Sequence, residues 1–230
     1  VLALIRAVLF DLDGTLVDCI KPMERAFVEV VEELGAKITV EDRANVAENL
    51  RSLLIQRSSP YAGVVFLWRL GRYVGLPRHK NLLMIFKAFR RLKRITEDSP
   101  LFPGTIELLT QLRGMSLKLG IVTTRSAKEA LPLLKRLSIA HYFDAVVTRD
   151  DAARSKPYPD PVQLALKLLS AAPEEAVMIG DMPTDIDSGR GAGTKTVGLL
   201  VGIFNNELVA AKPDALAGSL QEITLVLSRL

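Results

Sequence analysis

The chain has 230 residues, 49% of them hydrophobic and 24% charged, with a formal net charge of +4. That suits a soluble globular protein made of one large domain, or of a core with a smaller insert. The one cysteine, Cys19, excludes an internal disulfide framework and fits a reducing compartment, and the two histidines, His79 and His141, lie too far apart in sequence to support a zinc site or a histidine-activated nucleophile.

The first stretch, "VLALIRAVLFDLD", is apolar, but Arg6 interrupts it and acids follow at once. It has no signal-peptide core and no small-residue cleavage site, so no export signal is expected. The segment "RAVLFDLD" (6–13) predicts a strand that runs straight into Asp11 and Asp13. A long helical region follows, over 19–98. Within it "MERAFVEVVEELG" (23–35) has helical spacing and a glycine stop, and 61–74 and 80–95 also predict helices. The longest later apolar run, "YAGVVFLW", has eight residues and ends at Arg69, whereas a membrane span needs about twenty. A cytoplasmic protein with no membrane partner is expected. "TEDSPLFPG" (96–104) then brings turn residues and proline, a hinge signal.

From there strands and helices alternate. "TIELLTQLRGM" (105–115) predicts a helix, "KLGIVTT" (118–124) a strand, "AKEALPLLKRL" (127–137) a helix despite Pro132, and "DAVVT" (144–148) a strand. "DPVQLALKLLS" (160–170) predicts a helix, "AVMIGD" (176–181) a strand, "TDIDSGRGAG" (184–193) a helix and "KTVGLL" (195–200) a strand. Continuous apolar strands joined by helices mean a parallel sheet covered on both faces. The fold class is therefore α/β, a Rossmann-like parallel-sheet core (1–18 and 99–230) with a helical cap domain (19–98) inserted after the first strand.

Ligands of open parallel sheets bind beyond the carboxyl ends of the strands, so the residues found there carry the functional reading. The first strand ends on Asp11, Leu12, Asp13, Gly14 and Thr15, and the second on Thr123 and Thr124. "RSKPYPDP", with Lys156, follows the third, and the fourth ends on Gly180 and Asp181, with Asp185 four residues later. A cluster of acids demands a cation, protonation or solvent. Hard oxygen ligands without histidine or cysteine favour Mg²⁺, and the lysine and threonines suit an anion beside it. Each piece also has a plainer role. Asp13–Gly14 suits a turn, Asp11 and Asp185 suit helix caps, Thr123 is an ordinary strand-end residue, and Lys156 a solvated loop lysine.

"DLDGT" (11–15), "IVTTR" (121–125), "KPYPDP" (156–161) and "GDMPTD" (180–185) together resemble, in order and spacing, the four motifs of the haloacid dehalogenase superfamily. Within it the chain looks most like the phosphoglycolate phosphatase and pyrophosphatase branch, and the helical insert resembles that branch's small cap. The resemblance implies a Mg²⁺-dependent phosphatase acting on a small anionic phosphate monoester through an aspartyl-phosphate. Asp11 would be the nucleophile and Asp13 the general acid and base. Asp11, the backbone carbonyl of Asp13 and Asp181 would hold the metal, and Asp185 would orient the metal's water or Lys156. Leu12, Thr123, Thr124 and Lys156 would grip the phosphoryl oxygens. The acid at Asp13 disfavours dehalogenase and phosphonate chemistry, whose enzymes in this superfamily lack it. Inorganic pyrophosphatase and phosphomutase activities stay open, and a non-catalytic phospho-receiver or binding module is the contrasting class.

Between Asn49 and Thr96 there are eleven Lys or Arg and no Asp or Glu. Such a run suits either a surface that attracts an anionic substrate, with Arg69, Arg72, Arg78, Lys80, Lys87 and Arg90 as candidates, or a solvated basic face. The aromatics Phe66, Trp68, Tyr73, Phe86 and Phe89 have a helical spacing that suits core packing better than nucleic-acid stacking, so no nucleic-acid partner is expected.

Overall fold

A computed structural model describes residues 5–36, 39, 62–202 and 204–230. The chain divides into two compact units, residues 1–18 with 100–230, and residues 19–99.

The larger unit is built on six parallel strands: β1 (Ala7–Phe10), β2 (Lys118–Val122), β3 (Ala145–Val147), β4 (Ala176–Gly180), β5 (Lys195–Leu199) and β6 (Ala215–Ala217), in the order β3-β2-β1-β4-β5-β6. Every residue of β1 is fully buried. A strand buried on both faces must be apolar throughout, which is why "AVLF" shows no alternation. Side chains still alternate in direction. Val8 and Phe10 join a core with Leu119, Ile121, Val177 and Ile179, while Ala7 and Leu9 join another with Ala176 and Met178. The first core is closed by α4 (Thr105–Gly114), α5 (Ala127–Arg136) and α9 (Ile223–Leu227), through Leu108, Leu112, Leu133, Leu134, Ile223 and Leu227. The second is closed by α6 (Asp160–Leu169) and α7 (Pro183–Ala192). The short α8 (Asn205–Ala210) follows β5 and buries Leu208. Neither β6, α8 nor α9 is among the elements expected from sequence.

The insert leaves and rejoins this unit at one place. Phe102 N–H donates to the Leu16 carbonyl and Asp18 N–H to the Pro100 carbonyl, both at 2.9 Å. The two crossings are thereby paired, and β1 keeps its register with β2 and β4 although about eighty residues intervene.

The smaller unit contains α1 (Ile20–Glu33), α2 (Ala62–Tyr73) and α3 (Arg78–Asp98). Its core holds Phe27, Val30, Val31, Leu34, Leu67, Leu76, Met84 and Ala88. Asn81 is buried on α3, and its Nδ2 donates to the Trp68 carbonyl at 2.9 Å, fastening α3 to α2. Two aromatics depart from the expected core packing: Tyr73 is 55% and Phe86 64% exposed. Met84 and Ala88 define the inward face of α3, and Phe86 projects about 160–200° away from both at 100° per residue. The side chains of Phe66 and Phe89 lie outside what the structure describes, as does the 49–61 part of the basic run. Among the described residues no helix is long and apolar enough to cross a membrane.

Truncating a sheet residue away from the carboxyl ends of the strands should affect stability alone. Leu119→Ala removes a fully buried side chain from β2 and should cost about 2–5 kcal/mol. Urea denaturation should show the lowered midpoint, with turnover per folded molecule unchanged.

Candidate active site

The sheet order puts β1 between β2 and β4. The chain winds outward from β1 on one side through β2 and β3, then on the other through β4 to β6, so β1 and β4 flank the switch point where doubly wound folds bind ligands. Asp11 directly follows β1, Thr123 follows β2 and Asp181 follows β4. Asp11 N–H donates to the Ile179 carbonyl at 2.9 Å, so its position is set by the sheet itself.

Lys156 reaches this edge from the loop after β3. Its Nζ donates to Asp11 Oδ1 at 2.6 Å, to Asp185 Oδ1 at 2.6 Å and to the Val122 carbonyl at 3.0 Å. Its side chain is 3% exposed, so the solvated-loop reading is overturned: all three donors of the ammonium are used inside the protein. Asp185 Oδ2 accepts the Met182 N–H at 3.0 Å, capping the first turn of α7, while its Oδ1 accepts from Lys156. Asp181 is buried and its Oδ1 accepts from Thr15 Oγ1 at 3.0 Å.

Gly14 is required here for two reasons. Its φ is +83°, and a Cβ at that position would lie 2.3 Å from Asp181 Oδ2. The expected Asp13–Gly14 turn is therefore also the space in which the Asp181 carboxylate sits. Thr123 is buried and its Oγ1 accepts the Arg125 N–H at 3.2 Å. Leu12 is buried, and its carbonyl accepts from Leu16 and Val17, closing the loop after β1. Thr124 is half-buried beside Thr123.

The electrostatics follow from burial. Desolvation pushes the Asp11 carboxyl up to about 7, against the pull of Lys156 and with the Asp185 and Asp13 charges adding to the rise. Desolvation also raises Asp181 well above the usual carboxylate range, reinforced by Asp11 and Asp185. Burial alone would lower the Lys156 ammonium, but Asp11 and Asp185 overcome it and hold it above the ordinary lysine range. Carboxylate oxygens of Asp11, Asp181 and Asp185 lie within 4.8 Å of one another. Three buried carboxylates face one buried ammonium, an excess of two negative charges when all are ionised. An all-oxygen cluster with that excess fits a hard divalent cation.

Two contributors had no role in the sequence reading. Thr15 orients Asp181, and Arg125 grips Asp13 with Nε to Oδ2 and Nη2 to Oδ1, both at 2.6 Å. Arg125 could have been noticed as a cation directly after the threonines that end β2.

The candidate cap cations divide. Lys80 Nζ donates to the Leu34 carbonyl at 2.8 Å, and Lys87 pairs with Glu33 at 2.9 Å. Arg91 joins the same carboxylate at 2.9 Å, and Lys87 and then Arg91 hold Glu33 below its ordinary range. Lys80 and Lys87 thus tie α3 to the end of α1, whereas Arg69, Arg72, Arg78 and Arg90 are exposed.

The sequence profile of the family described as "Haloacid dehalogenase-like hydrolase" matches residues 8–199. The chain belongs to this family. The hydrolase is 31% identical to the phosphoglycolate phosphatase of Salmonella typhimurium over 95% of its own length and 91% of that protein's. Its fold is that of a hydrolase of the same family from Deinococcus radiodurans, solved with bound phosphate and sodium, at 21% identity, with a TM-score of 0.80 and coverage of 99% and 96% of the two chains. A haloacid dehalogenase-like family protein from Streptococcus pneumoniae is 26% identical, with a TM-score of 0.65 and coverage of 96% and 98%.

Removing the buried ammonium should be costly to this hydrolase. Lys156→Met leaves Asp11 and Asp185 without their partner and should destabilise the metal-free protein by about 3–5 kcal/mol. Urea denaturation in a chelating buffer measures this, and a loss within about 0.5 kcal/mol of zero would contradict a buried ion-pair hub.

Proposed function

We propose that the protein is a Mg²⁺-dependent phosphatase that hydrolyses a small phosphate monoester of the phosphoglycolate type through an aspartyl-phosphate on Asp11. The observation that carries this reading is the buried cluster of Asp11, Asp181 and Asp185 around Lys156, with its excess negative charge at the switch point of the sheet. The substrate class is supported by the phosphoglycolate phosphatases that the chain resembles over nearly all its length.

Asp11, Asp181 and the Asp13 carbonyl would hold the metal, with Asp185 behind them. When bound, Mg²⁺ would supply positive charge against the cluster and against phosphoryl oxygens. The remaining work belongs to side chains. An Asp11 oxygen attacks phosphorus, the bond to the leaving oxygen breaks, and Asp13 gives that oxygen a proton. A water then attacks phosphorus and passes a proton to Asp13, and the Asp11 carboxylate is released. Lys156, through its charge because its three donors are taken by Asp11, Asp185 and the Val122 carbonyl, would stabilise the phosphoryl oxygens together with the Thr123 hydroxyl and backbone N–H groups near Leu12 and Thr124, the chief demand of phosphoryl transfer.

The protein with Mg²⁺ should release phosphate from 4-nitrophenyl phosphate and from phosphoglycolate, and chelation should abolish both. Asp11→Asn should lower kcat by at least about 10³-fold. Malachite-green phosphate assays measure each, and substantial turnover by Asp11→Asn would sink the nucleophile assignment. Pyrophosphate and sugar phosphates in the same screen separate a pyrophosphatase or a mutase from a monoester phosphatase.

A further inference from the structure

Asp181 is held by parts of the chain that lie outside the acid cluster. Its Oδ1 accepts from Thr15 Oγ1 at 3.0 Å. Its other oxygen is bounded by glycine backbone. A Cβ at Gly14 would lie 2.3 Å from Oδ2, and a Cβ at Gly202 would lie 2.7 Å from the same atom. Gly202 comes from the loop after β5, outside the four motifs and beyond residues 8–199 that the family profile matches. That loop is tied down on both sides of the glycine. Leu200 N–H donates to the Ala217 carbonyl in β6 at 2.8 Å, and Phe204 is buried.

The two glycines are required for different reasons. Gly14 has a left-handed φ of +83°, which alone favours glycine. The Gly202 backbone lies outside the left-handed region, so its own conformation admits an alanine. What excludes the methyl group is Asp181: the three atoms nearest to a Cβ at Gly202 are its Oδ2, Cβ and Cγ. Position 202 therefore reports on the carboxylate and not on the turn. A methyl there would have to push the carboxylate aside. Such a displacement matters unequally to different cations. Mg²⁺ demands near-ideal octahedral geometry at about 2.0–2.1 Å, whereas Ca²⁺ accepts about 2.3–2.6 Å in flexible arrangements.

We propose that Thr15 and Gly202 form a cradle that presents the Asp181 carboxylate to the cation, and that the bare backbone at Gly202 tunes the site to a small ion over a larger one. This rests on the metal reading given above. Both are positioning residues that act through Asp181. Thr15 fixes the direction of one carboxylate oxygen, and the glycine backbone limits where the other can go. Residues that orient a metal ligand set the affinity of the site nearly as strongly as the ligand itself.

The test is isothermal titration calorimetry of the full chain with Mg²⁺ and with Ca²⁺, at one pH and without substrate, comparing wild type with Gly202→Ala, Thr15→Val and Thr15→Ser. Gly114→Ala, at the end of α4, is the control, because a Cβ there meets nothing within 4 Å. Gly202→Ala should weaken Mg²⁺ binding about 10–100-fold and Ca²⁺ binding no more than about threefold. Thr15→Val, which keeps the shape without the donor, should weaken Mg²⁺ binding about 10-fold, and Thr15→Ser, which restores the donor, should stay within about threefold of wild type. Gly202→Ala that binds Mg²⁺ as tightly as wild type overturns the proposal. So does an equal loss of both ions, which would mean general damage to the site. Should circular dichroism show that Gly202→Ala does not fold, the threonine pair decides: equal Mg²⁺ affinities for Thr15→Val and Thr15→Ser overturn the cradle. If wild type takes up no Mg²⁺, the metal reading fails and this inference with it. If wild type binds Mg²⁺ and the variants match it, the metal reading stands without the cradle.

Discussion

The rest of the site depends on one buried ammonium. Lys156 gives its three N–H groups to Asp11, Asp185 and the carbonyl that ends β2, residues 145, 29 and 34 positions away in sequence. No segment could supply this arrangement alone. A desolvated lysine without acids would lose its proton, and the desolvated acids without it would gain one. The lysine keeps its charge because the fold delivers the acids, and it offsets part of the rise that burial imposes on Asp11. The same bonds fasten the loop after β3 to the carboxyl ends of β1 and β2 and to the first turn of α7. Position and charge state are therefore set by a single contact set.

Parallel topology makes that contact set possible. Every strand points the same way, so the residue after each strand falls on one edge of the sheet. With β1 flanked by β2 and β4, Asp11 has the end of β2 on one side and Asp181 on the other. The insert does not disturb this. Its two crossings are hydrogen-bonded to each other at Leu16, Asp18, Pro100 and Phe102, so the edge is closed before the chain departs. Sequence between Asp18 and Pro100 can vary in length and composition while the register beneath Asp11 stays fixed.

What was legible in the sequence follows from how local each signal is. The five strands expected from the sequence are largely apolar runs bounded by polar residues, a pattern visible without partners. The helices α8 and α9 have only five or six residues, too few for a period to emerge, and β6, no shorter than β3, is partly exposed at the edge of the sheet. Asp11, Asp181 and Asp185 stand out as acids at strand ends and Lys156 as a cation just after the third strand, although taken alone it reads as a loop lysine. Thr15 and Arg125 were missed because their partners are chosen by the turn at Gly14 and by the loop after β2, which spacing does not encode. In the smaller unit the basic run was legible as charge. Which of its members face the Glu33 carboxylate or the Leu34 carbonyl depends on how α3 is rotated against α1, and that is decided by packing of Met84 and Ala88.

The surplus charge gives the cluster a conditional character. Burial places Asp11 near 7 and raises Asp181 well above the usual carboxylate range, so without a further cation the two compete for protons. Lys156 cannot remove this competition, because its donors are already spent on Asp11, Asp185 and the Val122 carbonyl, leaving Asp181 with the Thr15 hydroxyl. A divalent cation between Asp11 and Asp181 would favour the ionised form of both. The charge an attacking carboxylate needs is then fully present only when a counter-charge is bound beside it. Because the unfolded chain does not hold these acids together, the same counter-charge would also stabilise the fold by preferential binding to the native state. On the proposed mechanism, catalytic readiness and local stability are thus coupled through one set of carboxylates, and Lys156 sets how much negative charge is left for the cation to meet.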